Sequence, residues 1–84
     1  MVTMNGGYRV KERDLVEYIA RSLVKNPDQV AVREVRGRNV TVLELTVARE
    51  DMGRVIGKDG RVANAIRTLL RVAAEDRRVV LEIV

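Results

Sequence analysis

The spacing of apolar and polar positions along the chain predicts three helices and three strands. Within residues 10–25 the apolar residues recur as adjacent pairs every four positions, from Leu15 to Val24. That spacing places them on one side of a helix and leaves charged residues on the other side. Asn26 precedes Pro27, and a residue before proline disfavours helical dihedral angles, so the helix is predicted to end there.

Two β-branched segments follow, at residues 30–36 and 39–47, and the Gly37-Arg38 pair between them predicts a hairpin. One face of the second segment is wholly apolar and should pack against the helices. It consists of Leu43, Leu45 and Val47. The other face is mixed, and its small apolar patch is either exposed or meets another subunit; it consists of Val40, Val42, Glu44 and Thr46. Residues 79–84 predict a third strand.

Helical spacing returns in residues 50–56 and again in residues 61–75. Glu50 and Asp51 would lie in the first turn of the shorter helix, where negative charge suits the helix dipole. The longer helix has an apolar face that is predicted to point inward. Its members are Val62, Ala65, Ile66, Leu69, Leu70, Ala73 and Ala74.

The predicted order of elements is therefore α-β-β-α-α-β. Because a parallel connection needs about a dozen residues or more, the two helices before the last strand allow a parallel return. We therefore predict an α+β fold in which helices cover one face of a three-stranded mixed sheet. Residues 10–84 would form this single domain, and residues 1–9, which lack periodicity, are predicted to be a flexible N-terminal tail.

Composition argues against most catalytic classes. The chain has no Cys, no His and a single Ser, so familiar pairs of nucleophile and base cannot be assembled. Its acidic residues are scattered, without the spacing of a carboxylate dyad or a metal site. We therefore predict no enzymatic activity, no metal and no cofactor. No apolar run reaches the length of a signal peptide or of a roughly 20-residue membrane span, so we expect a cytoplasmic protein.

The net charge of +4 is concentrated in one part of the chain. Residues 53–71 contain five basic residues and one acidic residue, whereas the rest of the chain contains 11 of each. Such a local excess is typical of a surface that binds a polyanion. A solvated basic helix face would give the same composition, so charge alone does not decide between the two interpretations.

Gly57 and Gly60 enclose Lys58 and Asp59 in a tight turn between the two helices. Glycine accepts a positive φ and has no Cβ, so another molecule can come close at both positions. The helix that begins near Arg61 would direct its free N–H groups at an anion in this turn. Nucleotide loops do not fit, since a P-loop has four residues between its glycines and the dinucleotide motif has a third glycine.

With these features in place, the sequence resembles the KH RNA-binding domain. The segment Val-Ile-Gly-Lys-Asp-Gly-Arg at residues 55–61 is similar to the signature loop of that domain. The element order resembles its prokaryotic type II arrangement. Residues 15–20, 26–27 and 66–71 are similar to the small bacterial single-KH proteins of the KhpA (YlqC) family. The resemblance covers residues 10–84.

That resemblance implies an RNA-binding protein, either an RNA chaperone or a post-transcriptional regulator, that clamps about four nucleotides of single-stranded RNA. It also implies a homodimer, a heterodimer with a KhpB-type KH protein, or both, and a role in cell shape and envelope homeostasis. The residues expected to contact RNA are Arg54, Val55, Ile56, Gly57, Lys58, Asp59, Gly60, Arg61 and Asn64.

Within that site the two glycines would admit the sugar–phosphate backbone, and the basic residues around them would contact phosphates. The bases would turn toward an apolar groove formed by Val55, Ile56, Val62 and Leu43. The chain has no Phe or Trp and two Tyr, so it lacks an aromatic platform for stacking. Base contacts would then rely on aliphatic packing and on hydrogen bonds to base edges.

Two questions stay open from the sequence. Asp59 would repel a phosphate, so its side chain either points to solvent or caps the following helix. The alternative function is a protein-interaction module, in which the basic helix docks an acidic partner without binding RNA.

Overall fold

The computed structural model describes residues 11–84 and confirms the predicted order of elements. The helices are α1 (Glu12–Leu23), α2 (Met52–Ile56) and α3 (Arg61–Ala74). The strands are β1 (Ala31–Arg36), β2 (Thr41–Thr46) and β3 (Val79–Ile83). Single 3-10 turns lie at Pro27–Gln29, Arg49–Asp51 and Lys58–Gly60. The predicted N-terminal tail, residues 1–9, lies outside the described residues.

The sheet is mixed, as predicted, with β2 in the centre. Strand β1 pairs with β2 antiparallel, and β3 pairs with β2 parallel. The register aligns Val32, Leu45 and Ile83 in one row across the sheet. Because partners in a row share a face, the buried side chains of all three strands point to the side that the helices cover. The edges of β1 and β3 are left unpaired within the described chain.

The core is aliphatic and lies between the sheet and the helices. Leu43 and Leu45 from β2 are almost wholly buried, as predicted for that face. They meet Val16 and Ala20 of α1 and Leu70 of α3 in one cluster. At about 1.5–3 kcal/mol for each fully buried large aliphatic side chain, this cluster is the main favourable contribution to folding.

Several element boundaries differ from the predictions by one or two residues. The hairpin loop is longer than the Gly37-Arg38 pair, because β2 begins at Thr41 and not at residue 39. The amide of Gly37 donates to the carbonyl of Val40 at 2.7 Å and closes a four-residue loop. Helix α1 ends at Leu23, before the Asn26-Pro27 pair that was predicted to stop it.

Helix α3 has a narrower buried face than its sequence predicts. Ala63, Ile66, Leu70 and Ala74 are buried, which adds Ala63 to the predicted set. The predictions for Ala65 and Leu69 are wrong, since Ala65 is exposed and Leu69 is 50% exposed. The sheet contacts only the stripe that faces it, so the flanking apolar positions stay outside. Together with Val72, these two residues form a second apolar face on the helix, with i, i+4, i+7 spacing.

Candidate nucleic-acid interface

Asp51 is a buried carboxylate that fixes the start of α2. Its Oδ1 accepts a hydrogen bond from the amide of Lys25 at 3.1 Å. Its Oδ2 accepts from the amide of Asn26 at 3.1 Å and from the Asn26 side chain at 3.0 Å. These bonds use the two amides that would otherwise continue α1, which explains why that helix ends early. Asp51 therefore has a tertiary role that its predicted place at the start of the helix did not indicate.

The hydrogen bonds to Asp51 also set its ionisation. Burial on its own would raise its pKa, but the Asn26 side chain, the amides of Lys25 and Asn26, and the charge of Arg54 together hold the pKa below its ordinary value of 3.8. Arg54 Nε lies 3.9 Å from Asp51 Oδ1. Asp51 therefore helps to orient Arg54, which is one of the basic residues predicted to contact RNA.

Replacing Asp51 with asparagine is expected to destabilise the fold. One carboxylate oxygen becomes an amide NH2 group, which is a donor and cannot accept from the backbone N–H that faces it. A folded-state pKa below the unfolded value means that the charged form stabilises the fold above about pH 4. That contribution disappears as the pH falls through the folded-state value. Urea unfolding should therefore show a gap between wild type and Asp51→Asn that is constant from pH 7 to 5 and shrinks below pH 4.

Glu50 provides the matched control, because it is exposed and its Oε2 accepts from the same Asn26 side-chain nitrogen at 2.6 Å. Glu50→Gln should change the urea midpoint far less than Asp51→Asn at every pH. Equal effects of the two substitutions would show that the buried position of Asp51 is unimportant.

The glycine turn (residues 57–60) departs from ordinary backbone geometry at three of its four positions. Gly57 has φ 77° and ψ 170°, Asp59 has φ 58° and ψ 24°, and Gly60 has φ 77° and ψ 14°. The amide of Gly60 donates to the carbonyl of Gly57 at 3.1 Å, and the amide of Arg61 donates to Lys58. These two hydrogen bonds do not use the amides of Lys58 and Asp59, so both amides are available to an anion.

The two glycines have different reasons for lacking a side chain. A Cβ at Gly57 would lie 2.5 Å from Val62 Cγ2 and 2.8 Å from the Val62 amide nitrogen. The neighbour that comes close at Gly57 is therefore the chain itself. At Gly60 the nearest atom to a Cβ would be Asn64 Nδ2 at 3.7 Å, so this position has open space beside it. Only Gly60 combines a positive φ with room for another molecule.

The structure brings most of the predicted site residues to one surface. Those that are exposed around the turn are Arg54, Lys58, Asp59, Arg61 and Asn64. Ile56 is 37% exposed beside them. The open question on Asp59 is answered in part, because its side chain is exposed and no side chain caps α3.

The expected apolar groove beneath the turn needs correction. Val55 is 0% exposed and Leu43 is 1% exposed, so both pack in the core and neither offers surface to a base. Val62 packs against the core and fills the space beside Gly57. These side chains hold the turn in place, so a ligand would contact other residues.

Those contacts are available in a groove between α3 and β3, which we call the arginine groove. It encloses about 410 Å³ and lies against the unpaired edge of β3. Its lining residues are Arg67, Arg71, Asp76, Arg77, Arg78, Val79, Val80 and Leu81. Four of the five charged residues in this lining are positive. The sequence prediction named none of them as site residues, although Arg67 and Arg71 belong to the basic segment 53–71 that it singled out.

A line of side chains connects the glycine turn to the arginine groove. Asn64 lies beside Gly60, and its Oδ1 accepts a hydrogen bond from Arg67 Nη1 at 3.3 Å. Arg67 Nη2 in turn donates to the carbonyl of Leu81 at 3.4 Å. Arg71 follows one turn later on the same face of α3. The turn and the groove therefore form one continuous surface.

The loop between α3 and β3 is held in place by contacts with distant parts of the chain. Glu75 ends α3 with φ 58°, which reverses the chain direction. Arg77 forms an ion pair with Glu12 in the first turn of α1. The amide of Thr41 donates to the carbonyl of Arg78 at 2.9 Å. Two of the four arginines of the groove are thereby positioned by contacts with distant parts of the chain.

Within residues 11–84 no group of His, Cys, Asp and Glu side chains is placed to hold a metal ion. In the same residues no helix is long and apolar enough to cross a bilayer.

A family model and the individual relatives identify the same family. Residues 13–83 match the family model described as "KhpA/KhpB, KH domain". The chain is 55% identical over 73 residues to "RNA-binding protein KhpA" of Caldanaerobacter subterraneus subsp. tengcongensis, which covers 84% of this chain and 97% of that protein. It is 57% identical over 74 residues to the protein of the same name from Clostridium acetobutylicum, with 86% and 99% covered.

A more distant relative extends over the whole chain. The protein named "RNA-binding protein KhpA" in Treponema pallidum is 46% identical over 86 aligned positions, which cover 100% of this chain and 99% of that protein. No solved structure gives a significant match.

Proposed function

The chain belongs to the KhpA/KhpB KH-domain family, and from this we propose that it is an RNA-binding protein that clamps single-stranded RNA of about four nucleotides. Membership of the family confirms the resemblance and the type II KH fold. A KH domain is a binding module and not an enzyme. The observation that carries the proposal is the continuous basic surface from the glycine turn to the arginine groove.

The glycine turn would hold the sugar–phosphate backbone. Gly60 offers open space for close approach, and the amides of Lys58 and Asp59 are free of the turn's own pattern of hydrogen bonds. Exposed Lys58, Arg61 and Arg54 add positive charge around the same point. Phosphate oxygens can therefore accept hydrogen bonds from backbone amides while the cations lower the electrostatic cost of the polyanion.

The bases would lie along α3, on the side of Asn64 and Arg67. Their edges would meet the polar groups of the arginine groove, since Val55 and Leu43 are buried and only Ile56 offers an exposed large apolar side chain beside the turn. Guanidinium planes can also stack on bases in place of the missing aromatic rings. Such contacts require unpaired bases, which favours single strands over duplexes.

The test is a titration of a labelled single-stranded RNA decamer and of the same sequence in a duplex, followed by fluorescence anisotropy. We expect the single strand to bind at least ten-fold more tightly than the duplex. Lys58→Ala should weaken binding without changing thermal unfolding, because Lys58 is exposed. If wild type binds neither RNA at 50 mM salt, the interaction module that docks an acidic partner becomes the better account.

A second part of the proposal concerns assembly. The family resemblance implies a homodimer or a heterodimer with a KhpB-type KH protein, and α3 has an apolar surface that suits such contacts. Leu69 is 50% exposed and Val72 is 72% exposed, and helical spacing places both away from Arg67 and Arg71. Burying this stripe in a second chain would leave the arginine groove free, and two linked sites would bind a longer RNA more tightly.

Sedimentation at micromolar concentration tests the assembly. We expect wild type to sediment as a dimer and the double variant Leu69→Lys/Val72→Lys to sediment as a monomer with an unchanged circular dichroism spectrum. The matched control is Tyr18→Lys, another exposed large side chain, on α1. A dimer that survives the α3 substitutions would place the interface elsewhere.

The cellular role is proposed from the family resemblance alone. It comprises a cytoplasmic location, activity as an RNA chaperone or post-transcriptional regulator, and a contribution to cell shape and envelope homeostasis. A strand-annealing assay checks the chaperone activity: wild type should accelerate the pairing of two structured complementary RNAs, and Lys58→Ala should accelerate it less.

A further inference from the structure

The side chains that line the arginine groove are rich in hydrogen-bond donors. Its arginines carry only N–H donors, and the single carboxylate in the lining is Asp76. The unpaired edge of β3 adds backbone groups to the lining, among them the carbonyl of Leu81, which accepts from Arg67. A base edge that enters between α3 and β3 therefore meets donors.

Arg67 links the two sides of this groove. Its guanidinium joins α3 to the edge of β3 through hydrogen bonds of 3.3 Å to Asn64 and 3.4 Å to Leu81. Both distances are at the long end of the range for N–H···O bonds, so little is lost when the group turns toward a ligand. The side chain is exposed, and the other N–H groups of its planar fork are available.

We propose that Arg67 makes this domain prefer guanine at one position of the bound RNA; this inference rests on the proposed RNA binding. Guanine presents two acceptors, O6 and N7, side by side, and a guanidinium fork matches them with two parallel hydrogen bonds. Adenine and cytosine instead present an exocyclic amine, which needs an acceptor. A guanidinium has only donors and cannot accept from that amine, so Arg67 favours guanine over both.

The experiment uses four labelled RNA hexamers of uridine, three of which carry a single G, A or C at the third position. A single guanine cannot form guanine-rich folded structures, so the RNAs remain single strands. We expect the G-containing hexamer to bind at least five-fold more tightly than the A-containing one, since a bidentate contact discriminates by about 1–3 kcal/mol.

Two variants separate base recognition from general attraction. Arg67→Gln should lose the preference for G and turn it toward A, because a glutamine amide pairs with adenine N6 and N7. Arg61→Ala, which removes a cation beside the turn, should weaken the binding of all four hexamers by a similar factor. Thermal unfolding of both variants should match wild type, since both side chains are exposed.

The results distinguish the two proposals. If wild type binds all four hexamers equally, or binds A or C best, the role of Arg67 is wrong while RNA binding stands. A guanine preference that survives in Arg67→Gln also overturns it. If no hexamer binds at 50 mM salt, the proposed RNA binding is wrong, and this inference, which rests on it, is wrong as well.

Discussion

Gly57→Ala is expected to lower the free energy of unfolding by about 2–6 kcal/mol. The φ of 77° and ψ of 170° at Gly57 lie in a region that is essentially restricted to glycine, which costs other residues about 1–3 kcal/mol. The new Cβ would also meet Val62 Cγ2 at 2.5 Å and the Val62 amide at 2.8 Å. Forcing an extra carbon into a packed site adds about 1–3 kcal/mol. Urea unfolding followed by circular dichroism measures the sum.

Gly60→Ala is the matched control, three residues along the same turn. Its φ of 77° and ψ of 14° lie in the left-handed helical region, which costs alanine about 1–2 kcal/mol. A Cβ there has only Asn64 Nδ2 nearby, at 3.7 Å. Gly60→Ala should therefore remain folded at room temperature. If Gly57→Ala proves as stable as Gly60→Ala, the contact with Val62 does not constrain the turn.

This difference decides which glycine can report on binding. A loss of RNA binding in a Gly57 variant would follow from the damaged fold as readily as from a blocked site. A substitution at Gly60 adds a side chain in open space, where the RNA backbone is proposed to pass. Reduced affinity in a folded Gly60→Ala variant would therefore support the proposed clamp.

The second large effect is expected in the salt dependence of RNA binding. For a single strand, the logarithm of the affinity falls with the logarithm of the salt concentration with a slope of about −0.7 per neutralised phosphate. Removing all three cations around the turn, in Arg54→Ala/Lys58→Ala/Arg61→Ala, should reduce that slope by about 2. Near 0.1 M salt the affinity should fall on the order of 100-fold. Anisotropy titrations at four salt concentrations give both values.

The control variant removes the same charge from the β1–β2 hairpin, in Arg33→Ala/Arg36→Ala/Arg38→Ala. Arg33 and Arg36 pair with Glu44 and Glu34 and lie outside the basic surface. The slope for this variant should stay within about 0.5 of wild type, because no phosphate contact is lost. A similar fall in both triple variants would mean that RNA responds to total charge and not to the turn.

Local signals were sufficient for the elements and for the turn itself. The paired apolar positions of α1 and the alternation in β2 reflect single faces, so periodicity located them correctly. The glycine turn was predictable because its residues are adjacent in the sequence and their backbone requirements are local. Exposed Lys58, within the turn, and exposed Arg61, directly after it, were predictable for the same reason.

The errors arise where distant segments meet. The end of α1 depends on Asp51, which is 25 or more residues away and whose bonds with Lys25 and Asn26 no local pattern indicates. The width of the buried face of α3 depends on how the sheet meets it, so Leu69 could not be placed by spacing alone. Arg77 and Arg78 enter the groove only because the α3–β3 loop folds back beside α3.

The most direct test of the central claim is to add a short single-stranded RNA to the labelled protein and to follow its backbone amides by NMR. If RNA binds the proposed surface, the amide chemical shifts should change at residues 57–61, at Asn64 and Arg67, and along residues 76–81. The outer face of the sheet, which includes Val35 and Val42, should stay unchanged. Shifts confined to that outer face, or to the stripe of Leu69 and Val72, would contradict the account.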